Sequence, residues 1–374
     1  AVSASWAPWY QDRPVIHARV LTTDGAEHDL DPKSLSEGPL SEDSPNVYED
    51  GRDYHGPLPA VGIGSVVEEE FILKDHDPEF AAGVSRSIQL GSFAGPTEKS
   101  SVTIRAPESL PLKFVSRLLP NLTSGKKQAD GMVEYHFEQA HLDMLEQADK
   151  GLPSDVARRP YLYFSTGASW SAIASAYDAI VEPKVRTADV SELVKNTIKP
   201  GMSREETIRQ LYEVLHKRVR YTGVEFGDAS LVPVFASETL KRGYGDCKDK
   251  ALLFTAMLRA TNIPAYLALV DEGNGRDLEA EYPAMNFDHA IVYVPGPPEL
   301  WIDATASDYR LGPLPPGDAG RYALIVREGT ANLVRIPATQ PKNNRIVEKR
   351  EFQLAEHGPA RVVETSLPSG IAEA

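Results

Sequence analysis

Hydrophobic and polar positions alternate through the first half of the chain, and three- and four-residue spacing replaces that pattern from about Trp170 onward. Val15 to Leu21 and Ala26 to Leu30 read as strands flanking Thr23-Asp24-Gly25, where the Asp-Gly pair predicts a tight turn. Ser65 to Leu73, Ser101 to Arg105 and Val133 to Phe137 continue the alternation. Val102 and Ile104 share one face of their run, and Val133, Tyr135 and Phe137 share one face of theirs. Pro57, Pro59, Pro107 and Pro111 fall between runs, where a missing backbone donor breaks no ladder. The pattern predicts a β-rich, sandwich-like domain over residues 1–168.

Helical signals follow. Ser171 to Val181 predicts one helix, and Ser203 with Glu206 three residues later forms a capping box ahead of a second. In that second helix Ile208, Leu211, Tyr212, Leu215 and Val219 make an inward stripe, with Arg204, Glu205, Lys217 and Arg218 toward water. A third helix opens at Cys247, carries Leu253, Met257 and Ala260 on one face, and is stopped by Asn262-Ile263-Pro264. Strands over Phe287 to Val294 and Leu300 to Thr305 are joined by residues 295–299, a hairpin loop length. Beyond Pro337, Gln340-Pro341-Lys342-Asn343-Asn344 reads as a linker. Val347 to Leu354 and Ala360 to Thr365 then read as strands around a Glu356-His357-Gly358-Pro359 turn. The expected architecture is multidomain α+β: a β-rich domain at 1–168, an α+β core at 169–336, and at 337–374 a linker with the start of a further β-rich domain, since two strands are too few to stand alone.

Composition narrows the function classes. A chain of 374 residues, 41% hydrophobic, has material for more than one core. Its net charge of -15 argues against nucleic acid and anionic membrane as partners. No apolar run approaches the roughly 18 residues that span a bilayer. No leader pattern precedes Ala1, so a targeting signal is expected to have been removed or never to have existed. The single cysteine, Cys247, forms no intrachain disulfide and leaves the redox compartment open.

Cys247 also carries the candidate chemistry. On its own a cysteine reads as a small buried hydrophobe. Here it stands in Gly245-Asp246-Cys247-Lys248-Asp249-Lys250 at a helix start, upstream of Phe287-Asp288-His289-Ala290 and Trp301-Ile302-Asp303-Ala304-Thr305. Unpaired N–H groups at a helix start favour an anion and can later donate to an oxyanion. Asp246 is the predicted N-cap, with Gly245 giving a tight entry. Counting the hairpin pairs Val294 with Leu300 and sets His289 opposite Thr305. Asp303 is then the diagonal neighbour of His289 on the same face, with Cα atoms about 7–8 Å apart. A one-residue slip would separate them. In the predicted register Asp303 orients one imidazole nitrogen and the other serves Cys247, a nucleophile–base–orienter set. Lys248, Asp249 and Lys250 are expected in a solvated first turn, with Asp249 stabilising the helix start. Asp75-His76-Asp77-Pro78-Glu79 lacks EF-hand spacing and reads as a surface turn, and no metal or other cofactor is expected.

From about Val219 to Leu324 the chain resembles the transglutaminase-like core of the papain-like cysteine enzymes, in the bacterial branch where an uncharacterised β-rich domain precedes that core. The resemblance rests on Val219-Arg220-Tyr221-Thr222-Gly223-Val224-Glu225-Phe226-Gly227, Tyr244 to Lys250, Asn286 to His289 and Trp301 to Thr305. Trp9 to Pro14, Leu30 to Lys33 and Gly56 to Ala60 are similar to the preceding domain. The resemblance implies Cys247 as nucleophile, His289 as general base and acid, Asp303 as orienting carboxylate and Tyr221 as a side chain near the oxyanion. It further implies protein or peptide amides as substrates, and a location in the periplasm, cell envelope or outside the cell. Lys248 follows the cysteine where animal cross-linking transglutaminases carry an aromatic residue, so cross-linking does not transfer. Hydrolysis and transamidation stay open, as do the oligomeric state and a rival reading: an envelope binding or assembly module whose transglutaminase-like core is little used.

Overall fold

The computed structural model describes residues 1–40, 46–147, 156–272, 278–307 and 310–373. Among them the alternating first part forms four antiparallel three-stranded sheets. Val15–Leu21 pairs with Glu27–Asp29 across the Asp24-Gly25 turn and with Val66–Ile72 on its other side. Gly25 has φ of 85°, a left-handed value that suits glycine. Ser100–Pro107 and Thr123–Ala129 flank Met132–Gln139, the strand on which Val133 and Phe137 are buried. Tyr161–Ser165 closes this β-rich part, paired with Lys113–Arg117 and Ser85–Gln89.

Helices begin at Ser169, whose hydroxyl accepts from the Ala172 N–H and caps α1 (Trp170–Arg186). The short α2 (Ser191–Thr197) precedes α3 (Arg204–Arg218), which Ser203 caps through the Glu206 N–H. Its stripe is buried as the spacing predicts: Ile208, Leu211, Tyr212 and Leu215 all face inward. α4 (Ala236–Arg242) ends at Gly243 in the left-handed conformation, and α5 (Cys247–Arg259) follows at once.

α5 is the axis of the core. Every residue from Cys247 to Leu258 is buried, because α1, α3 and α4 pack around it and the five-stranded antiparallel sheet lies against it. That sheet runs Leu300–Ile302, His289–Val294, Tyr266–Val270, Tyr322–Ile325, Val334–Arg335. One face, with Ala290, Val292 and Val294, joins the helices in the main apolar cluster. The other, with Ile291, Trp301 and Ile325, forms a second.

The two parts are stitched together. Strand Val47–Glu49 of the front part pairs in parallel with Gly223–Glu225 of the core, and the Gly227 N–H donates to Asp50 at 3.0 Å. Arg117 grips Glu279 with two hydrogen bonds of 3.1 and 2.7 Å, and Tyr161 donates to the same carboxylate. At the far end Arg345–Gln353 and Arg361–Ser369 form an antiparallel hairpin whose residues, apart from Ser369, are all exposed. Among the described residues no helix is long and apolar enough to cross a membrane.

Candidate active site

Local geometry delivers Cys247 to the start of α5. Tyr244–Gly245 is held in parallel against Arg220–Tyr221, so the chain arrives as a strand and must turn into a helix within two residues. Gly245 makes that turn feasible, since a Cβ there would lie 2.7 Å from the Cβ of Asp249. Asp246 adopts extended backbone and its carboxylate accepts from the Asp249 N–H at 3.0 Å, as an N-cap does. Cys247 is therefore the first helical residue, and its own N–H and that of Lys248 have no acceptor within the helix.

The charged residues after the cysteine differ from expectation. Lys248, Asp249 and Lys250 are buried at 5%, 7% and 1% exposure, not solvated. A helix enclosed on all sides offers its first turn no water, so each charge has found an internal partner. Lys248 pairs with Asp246 and, at 3.6 Å, with Glu225. Burial works against its ammonium, but Asp246, Cys247 and Glu225 raise its pKa above the usual lysine value. Asp249 accepts from the Val234 N–H at 2.8 Å and faces Arg242 at 3.5 Å, and burial lifts its pKa to about 6. Lys250 donates to the Val219 carbonyl at 3.3 Å, with its pKa pulled down to about 8 by burial. These are the fastenings of the helix that begins at Cys247.

His289 opens its strand opposite Val270. The hairpin register is the one counted from sequence, with Val294 against Leu300 and Val292 against Ile302. The second strand stops at Ile302, sooner than predicted, and Asp303 lies just beyond its end. There one Asp303 oxygen accepts from both the N–H and the hydroxyl of Thr305, at 2.7 and 2.8 Å. The same oxygen is 3.4 Å from His289 Nε2, an ion-pair contact in which the ring N–H is not aligned for a hydrogen bond. Burial opposes a charged imidazole, yet Asp303 and Cys247 outweigh it and raise the His289 pKa well above its usual value. Burial likewise opposes the Asp303 charge, but His289 and Thr305 hold that carboxyl below the ordinary range. The two shifts describe an imidazolium–carboxylate pair beside the Cys247 sulfur. Cys247 and His289 are each only 9% exposed.

Tyr221, paired with Gly245, borders the same turn and is 39% exposed. Its pKa is raised, first by burial of the phenol and then by the charges of Cys247 and Asp246. The structure thus brings all four sequence candidates together. The calcium-like run at Asp75 is instead tied into its surroundings, with Asp75 accepting from Gln11 at 2.8 Å and pairing with Arg86 at 3.1 Å.

Two acidic neighbours have no counterpart in the sequence reading. Asp318 Oδ1 lies 3.9 Å from His289 Nε2, and Glu272 Oε2 lies 4.0 Å from Nδ1. Both sit in loops, where no periodicity marks a residue as inward-facing, so only the Pro315-Pro316-Gly317 turn signal ahead of Asp318 was available. The Arg321 guanidinium braces these loops by donating to the Gly317 and Glu272 carbonyls at 3.0 and 3.1 Å.

Residues 191–305 match the family model of the transglutaminase-like superfamily. That stretch is a transglutaminase-like domain. Residues 1–146 match a domain of unknown function with solved structure, DUF3857. The chain therefore has the transglutaminase-like core preceded by the β-rich domain that the sequence resemblance implied. The crystal structure of a provisionally named protease from Parabacteroides distasonis aligns with 95% of this chain and 70% of its own length, at a TM-score of 0.68 and 12% identity. At that identity the likeness is one of fold. The structure of a provisionally named cysteine protease from Cytophaga hutchinsonii is aligned over 77% of this chain and 89% of its own, at 12% identity and a TM-score of 0.28, too low to carry an argument. No curated protein matches the chain.

Proposed function

We propose that the transglutaminase-like domain performs cysteine-dependent acyl transfer on protein or peptide amides. The observation that carries this reading is the meeting of Cys247, at the first position of α5, with an imidazole that Asp303 holds charged. His289 already holds the Cys247 proton as an imidazolium, so Sγ bonds to the amide carbon as a thiolate, the C=O π bond opens and the carbonyl oxygen becomes an oxyanion facing the free N–H groups of the helix start and the Tyr221 hydroxyl. The proton passes from His289 to the leaving amine, the C–N bond breaks and a thioester remains. Water, deprotonated by His289, cleaves the thioester and releases the acid; an amine acceptor would give transamidation by the same steps. We favour hydrolysis, because Lys248 follows the cysteine where animal cross-linking transglutaminases carry an aromatic residue. The resemblance adds a location, the bacterial periplasm, cell envelope or exterior, which fractionation of expressing cells would test.

Alkylation decides the chemistry. Iodoacetamide at pH 7 should modify Cys247 rapidly, and His289→Ala should slow the reaction by at least about tenfold through loss of the imidazole. A thiol as sluggish in the native chain as in the variant would sink the proposal. The low exposure of Cys247 and His289 favours a second reading in that event: a binding or assembly module that keeps the site closed.

A further inference from the structure

Three carboxyls surround a single imidazole. Asp303, Asp318 and Glu272 all lie within 4.0 Å of a ring nitrogen of His289. Asp303 is satisfied by Thr305. Asp318 is not: it is fully buried, among the described residues no N–H or hydroxyl donates to either of its oxygens, and what faces it is a second carboxyl, that of Glu272. A buried carboxyl left without a donor costs about 1–3 kcal/mol or more. The His289 proton supplies one positive charge here, and a divalent ion in place of that proton would satisfy the oxygens of Asp318 as well.

We propose that Glu272, His289 and Asp318 form a binding site for a divalent transition-metal ion of the Zn²⁺ class, and that its occupancy closes the active site. One ligand atom from each of the three lies within 4.8 Å of the others. Zn²⁺ holds nitrogen and oxygen ligands at about 2.0–2.2 Å, so the three atoms must draw in by about an ångström. Glu272 supplies that movement, because its side chain is 36% exposed whereas Asp318 is closed off. Gly317 keeps the space open: a Cβ at that position would sit 2.5 Å from Glu272 Oε1. The exposed carboxylate at the rim and the buried one beneath it define an entry path. An imidazole with two carboxylates is a donor set suited to Zn²⁺.

The inhibitory consequence rests on the reading of His289 as base. Whichever ring nitrogen the ion takes, either the approach to Cys247 or the contact with Asp303 is lost. A bound ion thus holds the enzyme in a reversible resting state without touching the thiol.

Calorimetric titration of the chelator-stripped full chain with Zn²⁺ should show one ion per molecule. Asp318→Asn and Glu272→Gln should each weaken binding by about tenfold or more, while Cys247→Ala binds as the native chain does. The Glu272 variant keeps the test sound if the core substitution impairs folding. Absence of saturable binding, affinity unmoved in Glu272→Gln, or loss of binding in Cys247→Ala would each overturn the site. Zn²⁺ should also slow iodoacetamide labelling of Cys247, and chelator should restore it. Ligand-dependent binding with labelling unchanged would leave the metal site standing and refute His289 as the base, so the two failures are distinct.

Discussion

The strand end at Asp303 and the loop at Asp318 present two buried carboxyls to the same imidazole, and the protein treats them in opposite ways. Asp303 receives two donors from Thr305 and the charge of His289, and these overcome burial to keep it ionised. Asp318 receives no donor. Burial, with Asp303 and Glu272 adding to it against the pull of His289, lifts its pKa to about 8. Distance does not separate the two, at 3.4 and 3.9 Å from Nε2. What separates them is a pair of donors two residues along the chain. A buried carboxyl keeps its charge only where donors around it are arranged to solvate it.

The widest contrast should come from replacing each by its neutral isostere. Asp303→Asn should keep the fold and lower turnover on the order of 10³-fold, because the imidazole loses the charge that orients it; peptide hydrolysis rates measure this, and unchanged turnover would remove Asp303 from the mechanism. Its native contribution to stability is present above the ordinary carboxyl value of 3.8 and fades as pH falls through its lowered folded pKa. That of His289 is present below 6.5 and fades as pH rises through its raised one.

Asp318→Asn should do the reverse to stability. A carboxyl raised from 3.8 to about 8 must take up a proton on folding, so its cost to the native state grows as pH rises from about 4 to 8 and levels off above. With half of the shift credited at about 1.4 kcal/mol per pKa unit, the variant gains about 3 kcal/mol at pH 8 and nothing near pH 4. Denaturant midpoints in metal-free buffer at the two pH values are the measurement. No gain, or a loss, at pH 8 would mean that Asp318 is ionised and paired, erasing the contrast.

The contrast also marks the limit of what the chain discloses in one dimension. Asp303 was legible because hairpin pairing is arithmetic: once the loop is placed at residues 295–299, the register puts Asp303 beside His289, and the strand's early end at Ile302 does not disturb it. Cys247 was legible from its N-cap and the glycine before it. Asp318 and Glu272 were not, since they reach His289 from two loops joined only by tertiary contacts, one of them the Arg321 brace. The same blindness applied to Lys248, Asp249 and Lys250. Three charges in a first helical turn read as solvated, and nothing local announces that α1, α3, α4 and a sheet will enclose them. Pairing of the front strand Val47–Glu49 with Gly223–Glu225, which ties the two matched domains together, was likewise a non-local event.

The smallest and most discriminating change is to the donors themselves. Thr305→Val removes the hydroxyl that gives Asp303 one of its two hydrogen bonds and leaves the backbone N–H at 2.7 Å in place. Asp303 then moves one step toward the condition of Asp318 while its charge and its distance to His289 are kept. The expected loss is about 1 kcal/mol of stability and less than about tenfold in turnover, with the acid limb of the pH–rate profile shifted upward as the carboxyl becomes easier to protonate. Such a graded response would show that donor count sets the carboxyl's charge. A loss as large as that of Asp303→Asn, with the acid limb unmoved, would instead mean that Thr305 fixes the position of Asp303 and that geometry, not ionisation, distinguishes the two carboxyls.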